Sequence, residues 1–236
     1  MEREEGVERL RTLGFRDADA ELLWAHFDDA ERRGKASHGH ARIAWLETQD
    51  FDPQARPRQI DDGRWHGNGA VGYLVLSRVV SAQIDSPPRE ARLVVCERTF
   101  PTGMLGHHVR RLADAGLIGV LTATSPARLG PPGGPTVAGT NPLAIGIPGQ
   151  EPVVVDVSMS AVTWGDVIAG FATEDELVPF GGEQWHKAFA LALGLQLLVD
   201  ALVTEPGHGA VLLVARPHAD PVAALRTTGI RLPGDS

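Results

Sequence analysis

Five apolar runs, none longer than seven residues, are spaced along the C-terminal three quarters of this chain: RLVVC at 92–96, LIGVLTA at 117–123, LAIGIP at 143–148, PVVVDV at 152–157 and AVLLVA at 210–215. Runs this short, rich in branched residues and bounded by Gly, Pro or charge, read as buried strands. Segments of helical character lie between them, at about 72–84, 103–115, 161–171 and 186–203, with a last one at DPVAALRTTG. That alternation restricts the chain to an α/β architecture. The third and fourth runs, parted only by GQE, read as antiparallel neighbours around a short turn.

The first part of the chain differs. Ala20, Leu23, Trp24, Phe27 and Ala30 recur at helical spacing, Asp17 is placed to cap that helix, and Gly34 to end it. Residues 50–69 (DFDPQARPRQIDDGRWHGNG) hold Pro, Asp and Gly without periodicity and read as a surface connection. The expected division is a helical N-terminal part, residues 1–60, packing with the C-terminal helices, and an α/β core, residues 61–236.

Composition narrows the partners. The 22 Lys and Arg against 30 Asp and Glu leave a net charge of −8, which gives no electrostatic footprint for nucleic acid or an anionic membrane surface. A small-molecule substrate or another subunit is the expectation. The single cysteine, Cys96, excludes an internal disulfide and a multi-cysteine metal cluster. The N-terminal MEREEGVERL lacks an apolar core, and the apolar runs fall short of the about 20 residues that span a bilayer, so a cytoplasmic protein is expected.

The common catalytic templates are absent: there is no P-loop, HExxH, GxSxG or paired-cysteine motif. GNGAVG at 67–72 approaches a dinucleotide fingerprint but has no apolar strand before it. His38 with His40, and His107 with His108, are the imidazole pairs; adjacent helical residues diverge, and no metal site is assigned. The group Ser37, His38, His40 and Arg42 within AERRGKASHGHAR (30–42) carries more chemistry. A histidine beside a hydroxyl, one helical turn from a guanidinium, suits proton exchange with a carbonyl oxygen while a carboxylate is held. Gly39 is expected to let the backbone turn tightly enough to aim His38 inward.

Several separated segments resemble one family. AERRGKASHGHAR, LADAGLIGVLTATSP, PPGG, GTNPLAIGIP, VVVDVSMSAV, HKAFALALGLQLLVDAL and GIRLPGD are similar, in this order, to blocks of the malate/L-lactate dehydrogenase family that is distinct from the Rossmann-type enzymes. The resemblance implies a non-Rossmann α/β fold with a mixed, largely antiparallel sheet, a homodimer, and NADH or NADPH reducing a 2-oxo acid or a cyclic imino acid. By position it places His38 and Arg42 toward substrate and nicotinamide, and assigns Thr140, Asn141, Asp156, His186 and Lys187 to the cofactor.

Three departures accompany the likeness. TFPTG at 99–103 puts Pro101 where the family carries its proton-donating histidine, which leaves His38, His40, His107, His108 or water as the acid. GGPTVAGTNP offers Pro135 and Thr136 in place of a basic residue. Between SAVTWGD and PFGG, where the family has a long segment that helps enclose the dinucleotide, only VIAGFATEDELV remains, with Glu174, Asp175 and Glu176. Three readings therefore stand open: an NAD(P)H-dependent reductase, a cofactor-independent cyclase, lyase or isomerase on the same scaffold, and a non-catalytic binding or partner subunit.

Overall fold

A computed structural model describes residues 1–235. In it the apolar runs assemble into one seven-stranded sheet: β1 (Arg58–Asp61), β2 (Arg64–His66), β3 (Ala91–Glu97), β4 (Ile118–Ala123), β5 (Leu143–Ile147), β6 (Val153–Val157) and β7 (Ala210–Ala215), in the order β1-β2-β3-β7-β4-β5-β6. Every neighbouring pair is antiparallel except β2 with β3. The last strand in sequence slots between β3 and β4, so the two α/β units are locked by a segment made almost last. β5 and β6 form the expected hairpin.

One row across this sheet explains where the core ends and the chemistry begins. The register aligns Val94, Leu212, Leu121, Ala144 and Asp156 side by side. The four apolar members are completely buried beneath helices α4 (Gly72–Asp85) and α5 (Leu105–Asp114), and the row then terminates in a carboxyl group. Glycine sets how close α5 comes: a Cβ on Gly146 would lie 2.4 Å from the Val109 carbonyl oxygen. The glycines that interrupt the apolar runs therefore mark the closest helix–sheet contact, and they do not weaken the strand assignment.

Before the sheet come α1 (Arg3–Thr12), α2 (Asp17–Arg32) and α3 (Ala41–Leu46). The five apolar positions expected on α2 are all buried. Asp17 is the first helical residue and not the cap; Arg16 occupies the cap without a side-chain bond, while Asp17 and Asp19 place negative charge in the positive first turn. The buried cluster of α1–α3 is shared with Val71, Tyr73 and Leu74 at the start of α4, whereas the sequence reading expects the C-terminal helices as packing partner. Asp19, 2% exposed, fastens this layer through Arg56 at 3.0 Å and Arg78 at 2.9 Å.

Residues 50–69 are more ordered than their composition indicates. They supply β1 and β2, an antiparallel hairpin whose turn is closed by Asp61 Oδ1 accepting from the Gly63 N–H at 2.8 Å, so a boundary at residue 60 runs through a strand. β2 and α4 flank GNGAVG, and β2 lies parallel to β3; the preceding strand is a three-residue polar one, Arg-Trp-His, so the absence of an apolar strand stands. The motif is also closed to phosphate. Gly72 donates its N–H to the Phe100 carbonyl at 3.2 Å, and a Cβ there would lie 2.5 Å from the Pro101 oxygen, so the helix start is covered by the chain's own loop.

After β6 come α6 (Trp164–Ile168), α7 (Trp185–Leu202) and α8 (Pro221–Arg226). Asp220 caps α8, accepting from the N–H groups of Val222 and Ala223, with Pro221 at its first position. α7 corrects the reading that no segment is long enough for a bilayer. With the turn before it, Gly182–Leu202 is long and apolar enough to cross a membrane by length and composition, and little of it is buried. Its outer face exposes Leu191, Leu197 and Leu198.

Candidate active site

After α2 the chain makes one tight turn, Ala36–His38, and enters α3. Ser37 is buried, and its Oγ lies 3.0 Å from His38 Nδ1. Arg42 follows one turn on, 6% exposed, its guanidinium 5.2 Å from the Trp45 ring centre and its Nε buried without an acceptor. α6 closes over this corner. Thr163 and Asp166 hold its start through a reciprocal cap, with bonds of 2.7 Å and 3.2 Å. Gly165 lies so near that a Cβ there would come 2.3 Å from Arg42 Nη2 and 2.8 Å from His38 Cε1. Only glycine leaves both groups where they stand.

These elements enclose a cavity of about 370 Å³. Ser37, His38 and Arg42 face it from the N-terminal layer, Thr140 from the loop before β5 and Asp156 from β6. Five of the nine residues singled out in the sequence thus meet at one place, across more than 100 positions of chain. The other four do not line it. His40 stacks on Trp24, ring centres 4.7 Å apart, with Asp28 at 3.5 Å. Asn141, wholly buried, donates to the Ala192 carbonyl and to Gln196 Oε1 and accepts from the Ser125 N–H, a set of bonds that pins the loop to α7. His186 and Lys187 are exposed on the first turn of α7, where Lys187 bonds Gln184.

Gly39 departs from the expected reason for its presence. Its φ is −89°, so no left-handed turn is required, but a Cβ would lie 2.1 Å from Glu31 Oε2, which accepts the His40 N–H. The glycine makes room for a carboxylate that fastens the corner to α2.

The charge states follow from position. Burial, then the nearby Arg42 charge, pushes His38 down to about 4; Asp166 opposes this and Lys35 adds to it. The imidazole is neutral at pH 7. Burial pushes the Asp156 carboxyl upward, against the Gly106 N–H it accepts at 2.9 Å and the Lys35 charge. Burial also acts to raise Asp166, but the Ser37 hydroxyl, its bonds to Thr163 and His38 hold it below the usual range. The cavity therefore joins a neutral imidazole, a carboxyl biased toward keeping its proton, and a guanidinium with an unmet donor. Such a set can anchor an acid group and exchange a proton beside it.

Three other imidazoles lie behind the wall. His26, His107 and His108 cluster with ring centres 4.7 to 5.4 Å apart. His26 Nε2 accepts the Met104 N–H at 3.1 Å, supporting the loop that carries Pro101. Pro101 itself lines the cavity and has no proton to give. Of the acids considered in the sequence, only His38 reaches the cavity, where Asp156 joins it.

Sequence reasoning missed Lys35, Arg128 and Asp166, all of which line the cavity. Asp166 had a signal, since Thr163 and Asp166 in TWGD have the spacing of a helix cap. Lys35 and Arg128 had none, being single cations in loops. The acidic trio at 174–176 forms a short turn in which Glu176 caps Thr173. None of the three lines the cavity.

The chain is 32% identical over 174 residues to the NADP(+)-linked (2R)-3-sulfolactate dehydrogenase of Chromohalobacter salexigens, covering 69% of this chain and 52% of that protein. It is 28% identical over 228 residues to the Δ1-pyrroline-2-carboxylate reductase of Pseudomonas fluorescens, covering 81% and 67%. The chain thus spans about half to two thirds of the length of these relatives. Among solved structures, the Δ1-piperideine-2-carboxylate reductase of Pseudomonas syringae superposes with a TM-score of 0.79 at 24% identity, covering 100% of this chain and 91% of that one. A dehydrogenase from Sinorhizobium meliloti gives 0.79 at 23%, covering 99% and 87%. These two likenesses establish the fold. Residues 3–174 match the malate/L-lactate dehydrogenase family as a whole, and on that match the chain belongs to it.

Proposed function

We propose that this chain is an NAD(P)H-dependent reductase of a small 2-oxo acid or cyclic imino acid. The observation that carries the reading is the convergence of His38, Arg42, Thr140 and Asp156 on one cavity of about 370 Å³, a size suited to a small ligand. Relatives whose names specify reduction or dehydrogenation of sulfolactate, diketogulonate and a cyclic imino acid support the coarse class.

The donor set fits a nicotinamide dinucleotide in kind. Arg42 Nε is buried without an acceptor, and Arg128 adds a second guanidinium on the same cavity. Thr140, Ser125 and Arg128, which line the cavity, would hold the cofactor, which would supply hydride when bound. The protein's own part is to fix the acid group of the substrate on Arg42 and to deliver a proton from Asp156 or through His38. Cyclic imino acids suit a site whose wall carries Pro101, because a protonated iminium needs no proton at the moment hydride arrives.

Titration with NADH and NADPH, read by nicotinamide fluorescence and thermal stability, tests the cofactor. Turnover of pyruvate, oxaloacetate and Δ1-pyrroline-2-carboxylate then tests the class. The reading requires binding of at least one dinucleotide, and fails if neither binds. A second reading, a cofactor-independent cyclase, lyase or isomerase, is favoured by one observation: a neutral imidazole and a raised carboxyl share a cavity, sufficient for acid–base work alone. Two copies are proposed to associate, with light scattering as the check.

A further inference from the structure

We propose that Arg128 anchors the pyrophosphate of a dinucleotide that runs through two cavities, with its adenosine end in a second hollow beside the one described. The inference rests on the dinucleotide reading above and goes on to place the cofactor. The second cavity, of about 640 Å³, lies between the Pro/Gly loop at 130–136 and the segment 177–185 that leads into α7. Arg128 lines both cavities, and among the described residues it is the one charged side chain lining the second. A ligand reaching from His38 into that hollow passes the guanidinium on its way.

The state of Arg128 points to an absent anion. Its guanidinium carbon sits over Trp164, 3.3 Å from the ring centre, a contact that holds it without using its N–H donors. Among the described residues no side-chain hydrogen bond or ion pair of Arg128 exists. Glu174 is the acidic group whose field reaches it, and the half-buried position lowers its solvation. An oriented, partly desolvated guanidinium with unused donors is suited to bidentate binding of phosphate oxygens. The surroundings add what a dinucleotide needs on either side. The N–H groups of Gly130, Gly133 and Thr136 donate to nothing in the described structure, and Phe180 and Trp185 supply aromatic surface for a base.

This also answers a departure noted in the sequence. The loop before GTNP lacks a basic residue at Pro135 and Thr136. Arg128 enters the site from the opposite arm of that loop, since Leu129 pairs with Ala138 across it.

The test is dissociation constants for NADH, NADPH and ADP-ribose, measured by calorimetry and by nicotinamide fluorescence with ADP-ribose as competitor. Arg128→Met is expected to weaken the bound dinucleotide and ADP-ribose by roughly 10- to 100-fold, and Arg128→Lys to recover part of the loss. The affinity of the unaltered protein should fall with salt more steeply than that of Arg128→Met. If the unaltered protein binds neither NADH nor NADPH, the reductase reading fails and this proposal with it. If it binds one of them but Arg128→Met binds equally well with the same salt dependence, the reading survives and the proposal is overturned. A measurement on the unaltered protein decides the matter even if the variant does not fold: ADP-ribose that fails to displace a bound dinucleotide overturns the second cavity's role.

Discussion

Acid should unfold this protein through its site histidine before its carboxylates are protonated. His38 takes up a proton near pH 4 in the folded chain and near 6.5 when unfolded. Between those values the unfolded state binds more protons, so stability falls as pH falls from about 6.5 to 4. The shift of two and a half units, from 6.5 to about 4, corresponds to about 3 kcal/mol at about 1.4 kcal/mol per unit. That is an upper value, because the ring borders the cavity and water there returns part of its solvation. His26 and His108, pushed well down by burial, steepen the same loss, while Asp156, raised by burial, works against it at the acid end. The assay is urea unfolding followed by tryptophan fluorescence at pH 7.5, 6.5, 5.5 and 4.5, for the unaltered protein and His38→Asn. The variant should lose about 2–3 kcal/mol less between the extremes. Parallel pH dependences for the two proteins would refute the reasoning, showing that position 38 is solvated and not desolvated by the corner around it.

Four further outcomes are expected. Asp19→Asn, which breaks a buried carboxylate's pairs with two partly exposed arginines, should cost about 2–3 kcal/mol and lower Tm by about 4–12 °C in a calorimetric scan. Gly165→Ala should leave the fold within about 2 kcal/mol of its stability, helix propensity offsetting crowding, yet reduce turnover of an identified substrate roughly 100-fold by displacing Arg42 and His38; Gly194→Ala on exposed α7, where a Cβ meets nothing within 4 Å, should raise stability by up to about 1 kcal/mol without touching activity. Cys96, buried and with its thiol pushed up to about 12 by burial, should resist thiol reagents in the folded protein and react at once in urea.

Most of the fold was legible because it depends on local periodicity. The five apolar runs became strands, the helices between them formed near their expected limits, and Asp220 and Pro221 began α8 as their chemistry requires. The hairpin at 58–66 was hidden by its composition: Arg, Gln and Asp on the edge strand β1 look like loop until β2, itself paired with β3, offers hydrogen bonds. The site was half legible. Ser37, His38 and Arg42 are adjacent in sequence, and the hydroxyl, imidazole and guanidinium can be recognised together. Asn141 and His40 carry equally suggestive chemistry, yet one is consumed by hydrogen bonds to α7 and the other by stacking on Trp24.

What the sequence by itself determined is the α/β alternation, the corner at 37–42 and the family, since each is written in residues close together along the chain. Only the tertiary structure decided that Asp156 ends an apolar row facing that corner, that Gly165 grants the space for it, and that Arg128 stands between two cavities. The physical reason is that a charge or a proton-bearing group acquires its role from what surrounds it. Burial, an unmet donor and the approach of a distant helix are properties of packing, and no spacing along the chain encodes them.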